Sequence, residues 1–359
     1  MADVWETGAV HSTAVHPVQE GRVTPIPLRW RILLPLLRRL PQGILSRGAG
    51  WLAERRIPRP LRSPVIGGFA RVVGADLAEA EGSPTDYASV SQFFTRRLQS
   101  GARTWPDDSL LPASPVDGVV GALGRLEEGT LIQAKGKEYS ARELLGGAPP
   151  SRWGADPAPG VTEPGTATPG ATQSGAGSSE AAVSALDERG VSAFQEGAYL
   201  TLYLSPRHYH RIHAPVEGAL TWARSIPGNL LPVNEPAVAS IPELFARNER
   251  LVGLIQGRAM GPVAVVAVGA FNVGRISAAF DEGWNGPDGL GVTNRRKRRQ
   301  VEERVYDPPV PVARGEELMA FHLGSTVVLL FQGEERAFHP TLTPGVEVKM
   351  GQPLFGSGA

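Results

Sequence analysis

The sequence contains no cysteine. Disulfides, thiolate nucleophiles and every cysteine-ligated zinc or iron–sulfur site are thereby excluded, while the redox compartment stays open. Lysine is scarce: Lys135, Lys137, Lys297 and Lys349 are the only four, so arginine supplies 32 of the 36 cations. No apolar run approaches the length that crosses a bilayer as a helix. The first twenty residues lack a basic start followed by an apolar stretch, so no secretory signal is expected. Net charge is also missing, with 36 basic residues against 36 acidic. Neutrality taken whole argues against nucleic acid or an anionic surface as partner, but only if the charges are evenly spread.

They are not. Between Gly21 and Val72 stand eleven arginines (Arg22, Arg29, Arg31, Arg38, Arg39, Arg47, Arg55, Arg56, Arg59, Arg62 and Arg71) against one acid, Glu54. The segment carries +10 and the remainder −10. Leucines and isoleucines with Trp30 and Trp51 alternate with these arginines at helix-like spacing, interrupted by Pro35 and Pro41. Short amphipathic helices follow, of the kind that lie in the headgroup layer of an anionic membrane. The expected organisation is a disordered tail over 1–20, a membrane-associating helical region over 21–105 and a β-rich domain over 106–359 that holds the candidate chemistry.

At 359 residues with 42% hydrophobic content, the chain has ample material for a core. Asp86 to Leu98 reads as a helix anchored by Phe93 and Phe94. From Ser114 onward, short β-branched runs are punctuated by glycine: Val116 to Leu123, Thr130 to Ala134, Ala198 to Leu204, Val263 to Ala270 and Thr326 to Phe331. These are strand signals of a mostly antiparallel core, with Tyr139 to Leu145 as one helical insertion. The fold class is therefore α+β: N-terminal amphipathic helices followed by an antiparallel β core. Residues from about 148 to 185 are Pro, Gly, Ser, Thr and Ala in the main, predicting a disordered insertion. The basic run Asn294 to Arg299 reads as a solvated loop; no aromatic platform accompanies it, so no nucleic-acid partner is expected.

Three short stretches could carry chemistry. Tyr203-Leu-Ser-Pro-Arg-His208-Tyr-His210-Arg-Ile-His213-Ala-Pro215 holds three of only seven histidines. Zinc ligation, acid–base work and a structural cluster are all open readings of it. Phe321-His-Leu-Gly324-Ser325-Thr326 places a hydroxyl beside an unhindered carbonyl at the mouth of an apolar strand. Ser114-Pro-Val-Asp117-Gly118 supplies a carboxylate that would ordinarily be a turn residue.

Taken together and in order, these stretches resemble the phosphatidylserine decarboxylase proenzymes, a pyruvoyl-dependent, self-cleaving family. The resemblance, to the prokaryotic type, runs over about two-thirds of the chain. It includes Phe93-Phe94-Thr-Arg-Arg-Leu98, Gly101-Ala-Arg103, Gln133-Ala-Lys-Gly136, Asn248-Glu-Arg250, Val268-Gly-Ala-Phe-Asn-Val-Gly274 and Leu323-Gly-Ser-Thr326. It implies a β core like a barrel-sandwich hybrid and a two-stage mechanism. Asp117 would orient His213, and His213 would deprotonate Ser325 for attack on the Gly324 carbonyl. Cleavage at Gly324-Ser325 would give chains 1–324 and 325–359, the second starting with a pyruvoyl group made from Ser325. That ketone would form a Schiff base with phosphatidylserine and release phosphatidylethanolamine and carbon dioxide. His210 would position the substrate or move a proton, and no metal is implied. The resemblance places the enzyme peripherally on the cytoplasmic face of the cell membrane and leaves room for a homodimer. His208 stands where the family usually has aspartate, and Met319 where a second glycine is typical. The competing enzyme reading is a zinc-dependent hydrolase using His208, His210 and His213.

Overall fold

The computed structural model describes residues 42–108, 110–134, 137–147, 194–271, 275–285, 293, 300–322, 325–333 and 337–356. The expected tail, the arginine-rich stretch up to residue 41, the 148–185 insertion, the Asn294 to Arg299 run and Gly324 lie outside the described residues.

The fold is α+β, dominated by an antiparallel sheet of eight strands. Its strands are β1 (Gly118–Leu126), β4 (Gly197–Leu204), β6 (Gly218–Ile226), β7 (Arg250–Gly257), β8 (Gly261–Val268), β10 (Glu302–Val312), β12 (Ser325–Gln332) and β13 (Glu347–Val348). They run in the order β10-β6-β7-β8-β12-β4-β1-β13, open at both ends rather than closed into a barrel. A second sheet has three strands in the order β5 (Arg211–His213), β11 (Glu317–Phe321) and β9 (Ile276–Ala278). A hairpin of β2 (Thr130–Ala134) and β3 (Lys137–Ser140) completes the β structure.

Alternation along the central strands builds two cores, one on each face of the large sheet. Val327, Leu329 and Phe331 of β12 join Val263, Val265 and Ala267 of β8 on one face, packed with Ile212, Met319 and Phe321 of the three-stranded sheet. Val328 and Leu330 join Val266 and Val268 on the other, packed with Leu131, Tyr139, Leu144 and Phe245. Burial on both faces is why these strands read as continuous apolar runs rather than as alternating ones. Parity puts Ser325 on the face of Val327, toward the sheet that contains His213.

The helices are short, and side-chain caps start some of them. Helices α1 (Gln42–Ala53) and α2 (Arg59–Val73) precede α3 (Val90–Phe94). The predicted helix over 86–98 shrinks to α3 because Asp86 binds the Ser83 N–H and hydroxyl, leaving Ser89 to start the helix. Ser89 Oγ accepts from Gln92 N–H (3.1 Å) and Gln92 Oε1 from the N–H of Ala88 (2.6 Å), the residue before the cap, a variant of the capping box. Ile66 and Ala70 dock α2 onto Phe93. The expected insertion over 139–145 is the end of β3 followed by α4 (Ala141–Leu144), with Ser140 as its cap. Two further short helices are α5 (Glu235–Ser240) and α6 (Leu244–Arg247). Met319 lies inside β11 rather than in a turn, its methyl group against Gly253.

Candidate active site

Ser325 opens β12, the strand held between β4 and β8, and pairs with Leu204 at the end of β4. Its residue is 2% exposed, and its hydroxyl has no hydrogen-bond partner among the described residues. A buried unpaired hydroxyl costs about 1–3 kcal/mol, so its retention calls for an explanation in chemistry. The 205–213 segment crosses the same end of the sheet, tied to β11 by Phe321 N–H donating to the His210 carbonyl (2.9 Å).

The three histidines are separately engaged. His210 is fully buried, with its ring centroid 3.9 Å from that of Phe94. Its Nδ1 lies 2.8 Å from the His208 carbonyl, which can only accept, so Nδ1 carries the proton. The other nitrogen, Nε2, is a buried lone pair with no partner among the described residues. Burial pushes this imidazole down to about 3, so it is neutral near pH 7. His213 likewise donates from Nδ1 to the Gly315 carbonyl (2.7 Å), and its Nε2 accepts from the Tyr209 hydroxyl (2.9 Å). Burial lowers its pKa, opposed by that Gly315 bond. Gly315 sits at φ +86°, and a side chain there would start 2.9 Å from Trp105, so the carbonyl that orients His213 needs a glycine. His208 Nδ1 accepts from Ser205 N–H (3.0 Å), while Nε2 faces Glu347 Oε1 at 3.2 Å. The imidazole at this departure thus reaches a carboxylate in the 325–359 segment.

Asp117 is buried immediately before β1. The expected contact with His213 is not formed. Arg103 grips the carboxylate from two nitrogens, Nε to Oδ1 (2.9 Å) and Nη2 to Oδ2, and Met350 N–H donates to Oδ1 (2.9 Å). A planar guanidinium fork is the stronger partner for a carboxylate, and the Gly315 carbonyl already fills His213 Nδ1. Burial alone would raise the Asp117 pKa, but Arg103 and the Met350 N–H outweigh it and hold it low. Asp117 and His213 meet only through backbone, where His213 N–H donates to the Pro115 carbonyl (2.9 Å).

Arg103, Tyr209 and Gly315 are the functional neighbours that the sequence reading did not assign. Arg103 and Tyr209 lay in the quoted Gly101-Ala-Arg103 and His208-Tyr-His210 stretches, so a signal existed for both; nothing in the spacing marked Gly315. The zinc-hydrolase alternative finds no support. Both nitrogens of His213 are engaged, and among the described residues no group of three or more His, Asp or Glu side chains is placed to hold a metal ion.

His210 makes the site acid-sensitive. Its unfolded pKa is about 6.5 and its folded value about 3, so between these the unfolded chain binds the extra proton. Stability from keeping it neutral is complete above about pH 6.5 and is lost as pH falls toward 3. By about pH 5 the loss from this group is about 2 kcal/mol. Burial shifts His208 and His213 the same way. Urea unfolding at pH 7 and pH 5 checks this; equal stabilities would contradict it.

The family described as phosphatidylserine decarboxylase matches residues 90–356. The chain is 38% identical over 327 residues to the phosphatidylserine decarboxylase proenzyme of Anaeromyxobacter sp. (strain K), covering 91% of this chain and 99% of that one. It is 40% identical over 317 residues to the same-named protein of Halorhodospira halophila, covering 88% and 90%. With the proenzyme of Azotobacter vinelandii identity is 37% over 316 residues, covering 88% and 94%. The unpaired serine at the mouth of β12 and the histidine segment across from it thus belong to a member of the phosphatidylserine decarboxylase family.

Proposed function

We propose that this chain is the precursor of an enzyme that cleaves itself at Gly324-Ser325 and then decarboxylates phosphatidylserine. The observation that carries the reading is the buried, unpartnered Ser325 hydroxyl at the first position of the central strand. For cleavage, Ser325 Oγ loses its proton and bonds to the Gly324 carbonyl carbon, and the Gly324-Ser325 C–N bond breaks to leave an ester. Removal of the Ser325 α-proton then expels chain 1–324 as a carboxylate, and loss of ammonia with uptake of water leaves a pyruvoyl terminus. His213 is the base assigned to the first proton. Because its Nε2 accepts from Tyr209, that phenol has to swing aside for the transfer. Asp117 supports the base through the backbone next to it rather than by a direct bond.

The residues present fit a pyruvoyl group at position 325, since two buried polar atoms here, Ser325 Oγ and His210 Nε2, have no partner among the described residues. When formed, that group supplies a ketone that takes up an amine and withdraws the electron pair released with carbon dioxide. His210, neutral and protonated only at Nδ1, cannot open by donating a proton from Nε2. It first accepts one there from the substrate ammonium, and the same proton can return to carbon after carbon dioxide departs.

Membrane docking is assigned to α1 and α2. Trp51, Leu52, Leu61, Val65 and Val72 are exposed among the exposed arginines Arg55, Arg56, Arg59 and Arg71. None of the described helices is long and apolar enough to cross a membrane. An amphipathic surface of this composition lies at an anionic interface. One experiment tests the whole reading: the purified full chain is mixed with phosphatidylserine vesicles. It should co-sediment with them, release carbon dioxide, and give by intact mass the chains 1–324 and 325–359, the second without a free amino terminus. A single uncleaved chain in an active preparation overturns the cleavage reading.

A further inference from the structure

Arg96 follows α3 and is 4% exposed. Its Nη2 donates to the carbonyls of Arg207 (3.0 Å) and His208 (3.4 Å), and its guanidinium lies 4.9 Å from the Phe93 ring centre. The remaining nitrogens, Nε and Nη1, are buried without a partner among the described residues. The His208 carbonyl that it shares is the one accepting from His210 Nδ1, so the two side chains hang from a single oxygen. On one side of that oxygen stands a buried lone pair, and on the other a buried cation with most of its donors spare. No carboxylate pairs with Arg96 among the described residues, although arginine buried in proteins is normally paired.

We propose that Arg96 binds the phosphodiester of the substrate headgroup and so sets where the serine portion falls relative to His210 and position 325. The proposal rests on the decarboxylase reading above. A phosphodiester is favoured over the substrate carboxylate for a chemical reason. The carboxylate leaves as neutral carbon dioxide, so a cation paired with it would stabilise the ground state more than the transition state and slow the reaction. The phosphodiester keeps its charge throughout, and its attraction to Arg96 is the same before and after the bond breaks. Such a contact supports binding without opposing the chemistry.

The test uses the full, self-processed protein with Arg96→Gln and the charge-keeping Arg96→Lys. With soluble short-chain phosphatidylserine, Arg96→Gln should raise KM about 10- to 100-fold, the loss expected when a charged hydrogen-bond partner is removed, with kcat nearly unchanged. Arg96→Lys should recover part of that loss. Calorimetric binding of glycerophosphoserine and glycerophosphoethanolamine gives a readout independent of turnover. Arg96→Gln should weaken both by the same factor, because both carry the phosphodiester. Weakening of the serine compound alone assigns Arg96 to the carboxylate and overturns the proposal, as does unchanged binding of both. If Arg96→Gln does not fold, the Arg96→Lys comparison decides: binding of both compounds equal to wild type contradicts the proposal. Inactive wild-type protein that still binds both compounds in an Arg96-dependent way sinks the decarboxylase reading and leaves this site standing.

Discussion

Ser325→Ala is expected to leave the chain as one 38.2 kDa polypeptide with no decarboxylase activity. The substitution removes the only atom at that position able to attack the preceding carbonyl, and with it the source of the terminal ketone. No neighbouring thiol can substitute, because the sequence has none. The fold should survive, since Ser325 Oγ makes no hydrogen bond among the described residues that the loss would break, and alanine relieves a buried unpaired hydroxyl. Melting temperature should therefore hold or rise while both cleavage and activity vanish. Intact mass and a melting curve on the same sample check this. Cleavage persisting in Ser325→Ala would place the scissile bond elsewhere.

The second large effect is on stability. Asp117→Ala would strip Arg103, whose side chain is 6% exposed, of its buried carboxylate partner and leave Glu79 (2.6 Å) and the Ala102 carbonyl (2.6 Å). Removing one member of a buried ion pair costs about 3–5 kcal/mol, because the other charge is left desolvated. The Met350 N–H loses its acceptor too, loosening the 349–352 turn that also pairs with Ser114 through backbone bonds. The double variant Asp117→Leu with Arg103→Met removes both charges and should regain much of the stability. If Asp117 also serves self-cleavage, the double variant folds but stays uncleaved; a folded and fully cleaved double variant would confine Asp117 to structure. Acid acts on the same pair. The Asp117 pKa is held below the ordinary 3.8, so its contribution is present above that pH and is lost as pH falls through the lower folded value.

Strands β8, β12 and β4 at the centre of the large sheet were legible because both their faces are buried, whereas β6 and β7 were not read. The runs at 198–204 and 326–331 fall within β4 and β12, and that at 263–270 overlaps β8, while that at 130–134 is β2 of the separate hairpin. Strand β10 escaped notice. It lies at the sheet edge with mostly exposed side chains, and Pro308 and Pro309 sit in the irregularity between Val305 and Val310, where the ladder bonds they cannot donate are not needed. Helix over 86–98 was overestimated because periodicity cannot see Asp86 being spent on Ser83. The candidate residues were found as a set, but their pairings were not. Triad logic joined Asp117 to His213, whereas the docking of the 96–106 segment, a tertiary event without a periodic signature, gave Asp117 to Arg103. The same docking placed Arg96 beside His210, which its spacing in the sequence could not show.

Strand β12 has hydrogen-bonded neighbours on both sides, and everything from Ser325 to the C-terminus would become a separate polypeptide after cleavage. The cut would thus free a chain end without freeing a chain, because β12 is still clasped along its whole length. Unfolding of the mature protein then changes molecularity: one particle becomes two. Its midpoint in denaturant should rise with protein concentration, while that of uncleaved Ser325→Ala should not. Refolding, too, becomes an encounter between a sheet missing its middle strand and a 35-residue fragment that supplies it, counted from position 325 to 359. Self-cleavage in this fold would therefore be a one-way commitment, in which the precursor assembles a sheet that its products have no intramolecular route to rebuild.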